Sequence, residues 1–289
     1  MRDDDVTFPS IRESTVTLEA LLSDPEARTL HLRLQDALLE QRLQVVFQPI
    51  FDIRSLRLHS AEALVRWCDA QLGEVGPSRF IPLAEHSSMI FHIGQQVLRQ
   101  VLQCMSGWRA AGLPLVPVAI NVSGAELKHE GFADRFATLL QASDIPGELI
   151  QAEVTEHSLI SDFALAAANL RSAGKLGISF ALDDFGTGHS SFKYLRHLPI
   201  RHLKIDREFV AGVDVDRRDQ RIVRAMVALA HSLGIKVIAE GVETEAELVM
   251  LRRLKCDYVQ GFLTGRPMPE ERFAELLARS AEASATAAT

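Results

Sequence analysis

The sequence predicts an α/β fold of the (β/α)8, or TIM-like, barrel type. Eight short apolar segments have the composition of buried strands, and longer segments with helical periodicity separate them along the chain. This alternation is typical of βα units around a parallel sheet, and eight such units close a barrel. The strand candidates are centred near Val45, Ala63, Ala119, Ala152, Phe180, Lys204, Ile238 and Val259.

One barrel accounts for most of the chain. Residues 91–111 and 220–233 each repeat apolar side chains at helical spacing, as expected of helices packed on a sheet. The 289 residues, 47% hydrophobic and 24% charged, are enough for one large core, which we expect to span residues 29–279. Residues 1–28 are polar and irregular and are predicted to be an N-terminal linker or extension. The Ala-, Ser- and Thr-rich residues 280–289 are predicted to be a flexible tail.

Composition argues against several functional classes. A formal net charge of −7 and a pI near 5.8 argue against a protein that holds long nucleic acid by neutralising its phosphates. No apolar run approaches the ~18 residues of a membrane span, and no signal region opens the sequence. We therefore expect a cytoplasmic chain without direct membrane insertion, although a longer parent chain could carry an anchor. Cys68, Cys104 and Cys256 are far apart and are predicted to be reduced core thiols.

Polar side chains fall at one end of nearly every strand candidate. In barrels of this type the C-terminal strand ends build the active site. Taken singly, Glu62 could be a paired or solvated acid, Asn121 a turn or cap, and Lys204 an edge-strand charge facing water. Taken together, carboxylates converging at one barrel mouth would repel each other strongly unless cations lay among them. The polar residues are Gln48, Glu62, Asn121, Glu153, Asp183, Asp184, Lys204, Glu240 and Gln260.

Two adjacent aspartates, Asp183 and Asp184, end one strand candidate and precede a Gly-Thr-Gly segment. Consecutive strand residues face opposite sides, so both carboxylates can share a pocket only if the chain turns at once, which the glycines allow. Oxygen ligands without His or Cys favour magnesium or manganese over zinc. One aspartate could then bridge two ions, an arrangement used for in-line attack on a phosphodiester. The residues therefore predict a two-ion metal site.

Several motifs together identify a family. "AEALVRW" at Ala61 contains Glu-Ala-Leu, and it is accompanied by "FQPI", "FIPLAE", "INVS", "EVTE", "DDFGTG", "LKID", "IAEGVE" and "DYVQGF". Over residues 32–273 the chain resembles the EAL-domain family of bacterial cyclic di-GMP phosphodiesterases. The resemblance implies hydrolysis of cyclic di-GMP to linear pGpG in bacterial signalling, with two Mg²⁺ or Mn²⁺ ions per site. Ca²⁺ is expected to be inhibitory because its longer bonds misplace the hydroxide. The resemblance also implies one antiparallel barrel strand, at Val46.

The resemblance further assigns roles to individual residues. Lys204 would orient the nucleophile and offset phosphate charge, and Glu240 would be the base or a second-ion ligand. Glu156 would anchor the 186–188 loop, the alternative being a solvent-facing acid that caps a helix. The implied metal ligands are Glu62, Asn121, Glu153, Asp183, Asp184 and Glu240. The implied substrate-binding residues are Gln48, Leu64, Arg66 and Gln260.

The family also suggests partners and one competing function. A homodimer is expected, with Phe192 and Tyr194 near the subunit contact; the alternative is that both rings face the core. An upstream sensory or cyclase domain in a longer protein is a further expectation. The competing functional class is a receptor that binds cyclic di-GMP without hydrolysing it, as in relatives that have lost acids. Every acid is present here, which favours catalysis over binding alone and over a structural or interaction role.

Overall fold

The computed structural model describes residues 18–160, 162–185 and 198–286. Within these ranges all eight predicted strands are found close to their expected positions, together with one short strand, β3, that was not predicted. The strands are β1 (Leu43–Asp52), β2 (Leu58–Asp69), β3 (Gly73–Val75), β4 (Val118–Asn121), β5 (Ile150–Thr155), β6 (Ser179–Phe185), β7 (Ile200–Ile205), β8 (Lys236–Ala239) and β9 (Tyr258–Val259).

The strands form a closed barrel of eight, with β3 added at its edge. Their order is β1-β9-β8-β7-β6-β5-β4-β2-β3, and an additional pairing of β1 with β2 closes the sheet. β1 runs antiparallel to both of its neighbours, β2 and β9. The other neighbouring strands of the barrel pair in parallel. The predicted TIM-like fold and its antiparallel first strand are confirmed.

Helices connect the strands and cover the outside of the barrel. Those predicted at 91–111 and 220–233 are confirmed as α4 and α10, within a few residues at each end. In order, the helices of the described residues are α1 (Leu18–Leu21), α2 (Pro25–Leu39), α3 (Pro77–Glu85), α4 (Met89–Ala110), α5 (Gly124–Leu127), α6 (Phe132–Ser143), α7 (Glu156–Ile160), α8 (Phe163–Gly174), α9 (Arg207–Val210), α10 (Arg217–Ser232), α11 (Glu245–Arg253) and α12 (Glu270–Thr286).

Helix α10 shows how the sequence sets a helix boundary and a buried face. The Asp216 side chain accepts a hydrogen bond from the backbone N–H of Arg218 at 2.6 Å, which caps the helix where its first N–H groups lack internal partners. Val223, Val227 and Ala230 are buried, and their spacing places them on one side of the helix. The cap fixes where α10 begins, and the apolar stripe fixes which face it turns to the barrel.

Two helices extend across the boundaries predicted at residues 28 and 279. Helix α2 begins at Pro25 and buries Leu34 completely, and α12 buries Phe273 and continues to Thr286. The predicted boundaries followed composition, and an amphipathic helix with a polar outer face has the same polar composition as a linker. The predicted limits at residues 28 and 279 both lie inside helices, and the division of the chain into a linker, a barrel and a tail stays a prediction.

Strand register brings the polar residues to one end of the barrel. Gln48 lies opposite Glu62 in the β1–β2 pair, and Asn121 lies opposite Glu153 in the β4–β5 pair. Glu240 directly follows β8, with its backbone N–H donating to the Ile205 carbonyl at 3.1 Å. These residues all belong to the end at which the parallel strands finish, where barrel active sites form.

Two further expectations concern the bilayer and the thiols. Within the described ranges no helix has the length and apolar character needed to traverse a bilayer.

The three cysteines are free: Cys256 is buried, Cys104 is partly buried and Cys68 is exposed. The prediction of core thiols is therefore wrong for Cys68, because its side chain faces outward from β2.

Candidate active site

Lys204 lies at the centre of the polar cluster. It belongs to β7, between β6 and β8, and is 1% exposed. Its Nζ lies 2.6 Å from Glu153 Oε2 and 2.7 Å from Glu240 Oε1. Asp183 Oδ2 at 3.4 Å and Glu62 Oε2 at 3.5 Å complete the surrounding acids. The alternative reading of Lys204 as an edge-strand charge facing water is wrong, because neither condition holds.

The cluster carries an excess of negative charge. Burial by itself would lower the pKa of Lys204, but the surrounding carboxylates, led by Glu153, raise that pKa well above its ordinary value. Burial raises the pKa of Glu153 well above its usual range and that of Glu240 to about 8, in each case against the opposing effect of Lys204. One ammonium cannot balance four carboxylates, so the cluster favours additional cations.

Two amide side chains orient Glu62, and a third, that of Gln48, contacts one of them. Asn121 Nδ2 donates to Glu62 Oε1 at 2.8 Å, and Gln260 Nε2 donates to Glu62 Oε2 at 2.7 Å. Gln260 Nε2 also lies 3.1 Å from Gln48 Oε1, and Gln48 Nε2 donates to the Gly265 carbonyl at 3.0 Å. Burial would raise the pKa of Glu62, but Lys204, Gln260 and Asn121 hold that pKa below its ordinary value. Glu62 is thus a paired acid whose partners are themselves predicted site residues.

The chain turns at Asp184. The pairing of β6 with β7 shifts between Leu182 and Phe185, and Asp184 has a φ of 54°, in the left-handed region. Aspartate tolerates this region better than most residues with a side chain. The Asp184 backbone N–H donates to Asp183 Oδ1 at 2.9 Å, while Asp183 Oδ2 faces Lys204. The sequence predicted a turn made by the 186–188 glycine segment, which lies outside the described residues; within the described residues, a strand irregularity already lies at the two aspartates.

The donor set fits a hard divalent cation. Apart from the nitrogens of Lys204 and of the amides, every atom of the cluster that could bind a metal ion is an oxygen. Glu153 Oε1 is buried and has no hydrogen-bond partner among the described residues. Lys204 Nζ, however, lies where the carboxylates converge. Within the described ranges, no group of three or more Asp, Glu, His or Cys side chains is arranged so that it could hold a metal ion. The ligand roles of Glu62, Asn121, Glu153, Asp183, Asp184 and Glu240 stay predictions.

An open cavity of about 280 Å³ lies over Lys204 and Glu240. The sequence reasoning missed Arg207, Gly241, Glu243, Gly261 and Phe262, which also line it. A signal was present, because Arg207 directly follows the "LKID" motif and the others lie in or beside "IAEGVE" and "DYVQGF". The predicted residues that line the cavity are Gln48, Glu62, Leu64, Asp183, Lys204, Glu240 and Gln260.

A second cavity, of about 390 Å³, adjoins the first and is mainly apolar. Leu64 lines both cavities, whereas Asn121 and Arg66 line the second one. The Arg66 guanidinium donates to the Val65 carbonyl at 2.9 Å. The predicted substrate-binding residues therefore divide between a polar cavity with the acids and an apolar cavity beside it.

Glu156 is the first residue of α7 and is 9% exposed. Its burial contradicts the alternative of a solvent-facing acid. The 186–188 segment that Glu156 was predicted to anchor lies outside the described residues, as do Phe192 and Tyr194 of the expected dimer contact. The loop anchor and the homodimer stay predictions.

Comparison with known proteins places this geometry in a family. Residues 31–267 match the family described as EAL domain. The chain belongs to the EAL domain family. The family resemblance read from the motifs is therefore confirmed, and the EAL match covers the whole barrel from α2 to the turn after β9.

Two curated relatives come from Pseudomonas aeruginosa. Cyclic di-GMP phosphodiesterase NbdA is 37% identical over 244 residues, which cover 84% of this chain and 31% of NbdA. Bifunctional diguanylate cyclase/cyclic di-GMP phosphodiesterase MucR is 40% identical over 240 residues, which cover 83% of this chain and 35% of MucR. The chain spans about a third of the length of these relatives.

Two solved structures share the fold closely. "PaMucR Phosphodiesterase, c-di-GMP complex" has a TM-score of 0.81 and 38% identity, covering 85% of this chain and 99% of the other. The EAL enzyme Bd1971 in its "cAMP and cyclic-di-GMP bound form" has a TM-score of 0.82 and 32% identity, covering 88% and 70%. Both structures contain cyclic di-GMP, and Bd1971 is described as an EAL enzyme.

Proposed function

We propose that this EAL barrel is a metal-dependent phosphodiesterase that hydrolyses cyclic di-GMP to linear pGpG and so lowers a bacterial second messenger. The observation that carries the proposal is the group of four acids around Lys204 Nζ at the C-terminal end of the barrel, with Asn121 and Gln260 bonded to one of them. The relatives named as cyclic di-GMP phosphodiesterases support the reaction, and the MucR complex supports the ligand.

Two Mg²⁺ or Mn²⁺ ions are the proposed cofactors. When bound, such ions lower the pKa of a water molecule and neutralise charge that develops on the phosphate. The excess of carboxylates over Lys204 and the unpartnered Glu153 Oε1 support their presence. The side chains proposed to hold them are Glu62, Asn121, Glu153, Asp183 and Asp184, with Glu240 as a further ligand of the second ion.

The chain's own residues position and move charge. Glu240, held at 2.7 Å by Lys204, is proposed to take a proton from the attacking water as the water oxygen bonds to phosphorus. The bond from phosphorus to the ribose oxygen breaks, and that oxygen takes a proton from solvent and leaves as a hydroxyl. The Lys204 ammonium offsets charge on the phosphoryl oxygens. Gln48 and Gln260 keep Glu62 oriented, and Leu64 and Arg66 border the adjoining apolar cavity, which suits a guanine base.

A turnover assay tests the proposal. The purified chain is incubated with cyclic di-GMP, and loss of substrate and appearance of pGpG are followed by chromatography. We expect turnover with Mg²⁺ or Mn²⁺, little with Ca²⁺ and none with a chelator. Tight binding of cyclic di-GMP without pGpG in any of the metals would instead identify a receptor.

Self-association and control by further domains belong to the same proposal. A homodimer would be detected by light scattering at working concentration, and a strict monomer with full activity would reject it. A sensory or cyclase domain upstream of this barrel in a longer cytoplasmic protein would supply the regulatory input.

A further inference from the structure

Arg207 lies at the rim of the active cavity. It lies shortly after Lys204 in the chain, at the first residue of α9, and lines the same cavity as Glu240. The preceding Asp206 accepts a hydrogen bond from the Glu208 backbone N–H at 2.7 Å. This bond fixes the backbone at the start of α9, so the side chain of Arg207 leaves from a defined point.

Gly241 makes room for the stem of Arg207. Its φ of 67° lies in the left-handed region, and a side-chain carbon built there would come 2.5 Å from Arg207 Cγ. A residue larger than glycine would therefore push the arginine away. The aliphatic part of Arg207 thus packs on the backbone immediately after Glu240, at the wall of the cavity.

The guanidinium of Arg207 is held only weakly. Its Nη2 lies 2.8 Å from Glu243 Oε1, and the two side chains are 60% and 40% exposed. Exposed ion pairs of this kind contribute little stability. A guanidinium also carries five N–H donors in a planar fork, which matches a phosphate in two-point contacts. Exchanging Glu243 for a phosphate therefore costs little.

The charged residues that line the cavity indicate that a phosphate bound there would need the positive charge of Arg207. Among the described residues that line it, the cations are Lys204 and Arg207, and the remaining charged groups are acids. Lys204 is 1% exposed and already faces four carboxylates. A second phosphate that enters this mouth therefore meets repulsion from acids unless Arg207 compensates it.

We propose that Arg207 binds the second, non-scissile phosphate of cyclic di-GMP and releases Glu243 as it does so. This inference rests on the proposed function and adds to it a residue that selects ligands with two phosphates over simple phosphodiesters. Arg207 is a substrate-binding residue in this account and takes no part in bond cleavage.

The test compares Arg207→Ala with a matched loss of charge. Arg201→Ala removes an exposed arginine from the opposite end of β7 and serves as the control. Calorimetry with cyclic di-GMP in Ca²⁺ should show Kd weakened about tenfold by Arg207→Ala, the effect of one lost charge-assisted hydrogen bond. Arg207→Lys should recover part of that affinity, and Arg201→Ala should change it little. In Mg²⁺ the loss should fall on KM, with kcat within about twofold of wild type.

Two further measurements distinguish this proposal from a purely structural ion pair and from a role at the scissile phosphate. Glu243→Gln frees Arg207 and should keep or tighten the Kd; if it weakens Kd as much as Arg207→Ala does, the pair is structural and the proposal fails. Bis(p-nitrophenyl) phosphate has one phosphate, so an equal rise in its KM with Arg207→Ala would place Arg207 at the scissile phosphate and overturn the proposal. A wild-type chain that binds cyclic di-GMP without hydrolysing it refutes the proposed function while the binding arm still decides on Arg207. A chain that does neither refutes both.

Discussion

The two ends of the barrel arrange their charged side chains in opposite ways. At the C-terminal end, four carboxyl groups face one ammonium, and Glu153 Oε1 has no hydrogen-bond partner among the described residues. At the N-terminal end, Asp257 is matched by Lys236 Nζ at 2.8 Å, His231 Nε2 at 2.7 Å and the Val237 backbone N–H at 2.9 Å. Acidic groups therefore outnumber basic groups at the C-terminal end, whereas the acid at the N-terminal end has basic partners.

The rings at the N-terminal end reinforce this difference. His59 stacks on Tyr258 with ring centroids 3.9 Å apart and planes 13° apart, and His202 packs against Tyr258 at 5.8 Å. Burial lowers the pKa of His202 to about 4, so its imidazole is neutral at pH 7. Stacked neutral rings and paired ions contribute to stability, whereas acids in excess of the nearby positive charge cost stability unless a ligand compensates them. The comparison teaches that the C-terminal end is organised for a ligand and the N-terminal end for the fold.

The largest expected effect comes from Glu240→Gln. This change removes one charge and any basicity next to Lys204, so turnover of cyclic di-GMP should fall by about two orders of magnitude or more. Cyclic di-GMP binding, measured by calorimetry in Ca²⁺, should survive. Glu245→Gln, an exposed acid at the start of α11, is the matched control. Near wild-type turnover in Glu240→Gln would make Glu240 a bystander.

Lys204→Met sharpens the comparison directly. Removing the ammonium leaves the buried carboxylates uncompensated, and we expect a loss of about 3 kcal/mol in the free energy of unfolding. The control at the other end is Lys236→Met, whose side chain is 57% exposed and which leaves Asp257 its other donors. Urea unfolding in a chelator and again in Mg²⁺ measures both, and Mg²⁺ should restore more stability to Lys204→Met than to Lys236→Met. Equal losses at the two lysines would remove the proposed asymmetry.

Much of this asymmetry could be predicted, and the limits have physical causes. Apolar runs identified every barrel strand, because strands buried on both faces read as continuous apolar segments. The polar residues at strand ends identified Lys204 and its acids. Sequence could not place the turn at Asp184, since strand irregularity depends on neighbouring strands. It also missed Arg207 despite its place directly after the "LKID" motif, because an exposed arginine after a strand has the same appearance in sequence as a solvated surface charge.

Glu156→Ala probes a residue outside the central cluster with a smaller expected effect. If the buried Glu156 anchors the adjacent loop, turnover should fall about tenfold and Mg²⁺ affinity should fall with it, the usual scale for a residue that supports metal ligands. Circular dichroism and the melting curve should be nearly unchanged. Glu130→Ala, an exposed acid, is the control. An unchanged rate at limiting Mg²⁺ would show that another group holds the loop.

The smallest expected effect is a pH dependence that belongs to the N-terminal end. The pKa of His202 is about 4 in the folded chain, chiefly because of burial, with His59, Arg201 and Lys236 adding to the effect and Asp257 opposing it. In the unfolded chain the pKa returns to its ordinary value near 6.5, so between these values the unfolded state binds the extra proton and stability falls as pH falls.

His202→Phe keeps a ring against Tyr258 and cannot titrate. Between pH 7 and pH 5 the wild type should therefore lose about 1 kcal/mol more of unfolding free energy than the variant, after allowance for partial solvent exposure. Urea unfolding of both proteins at the two pH values measures the difference, with Glu240→Gln as a control for acids at the other end. Parallel curves for wild type and His202→Phe would mean that His202 titrates normally and that the N-terminal end is open to water.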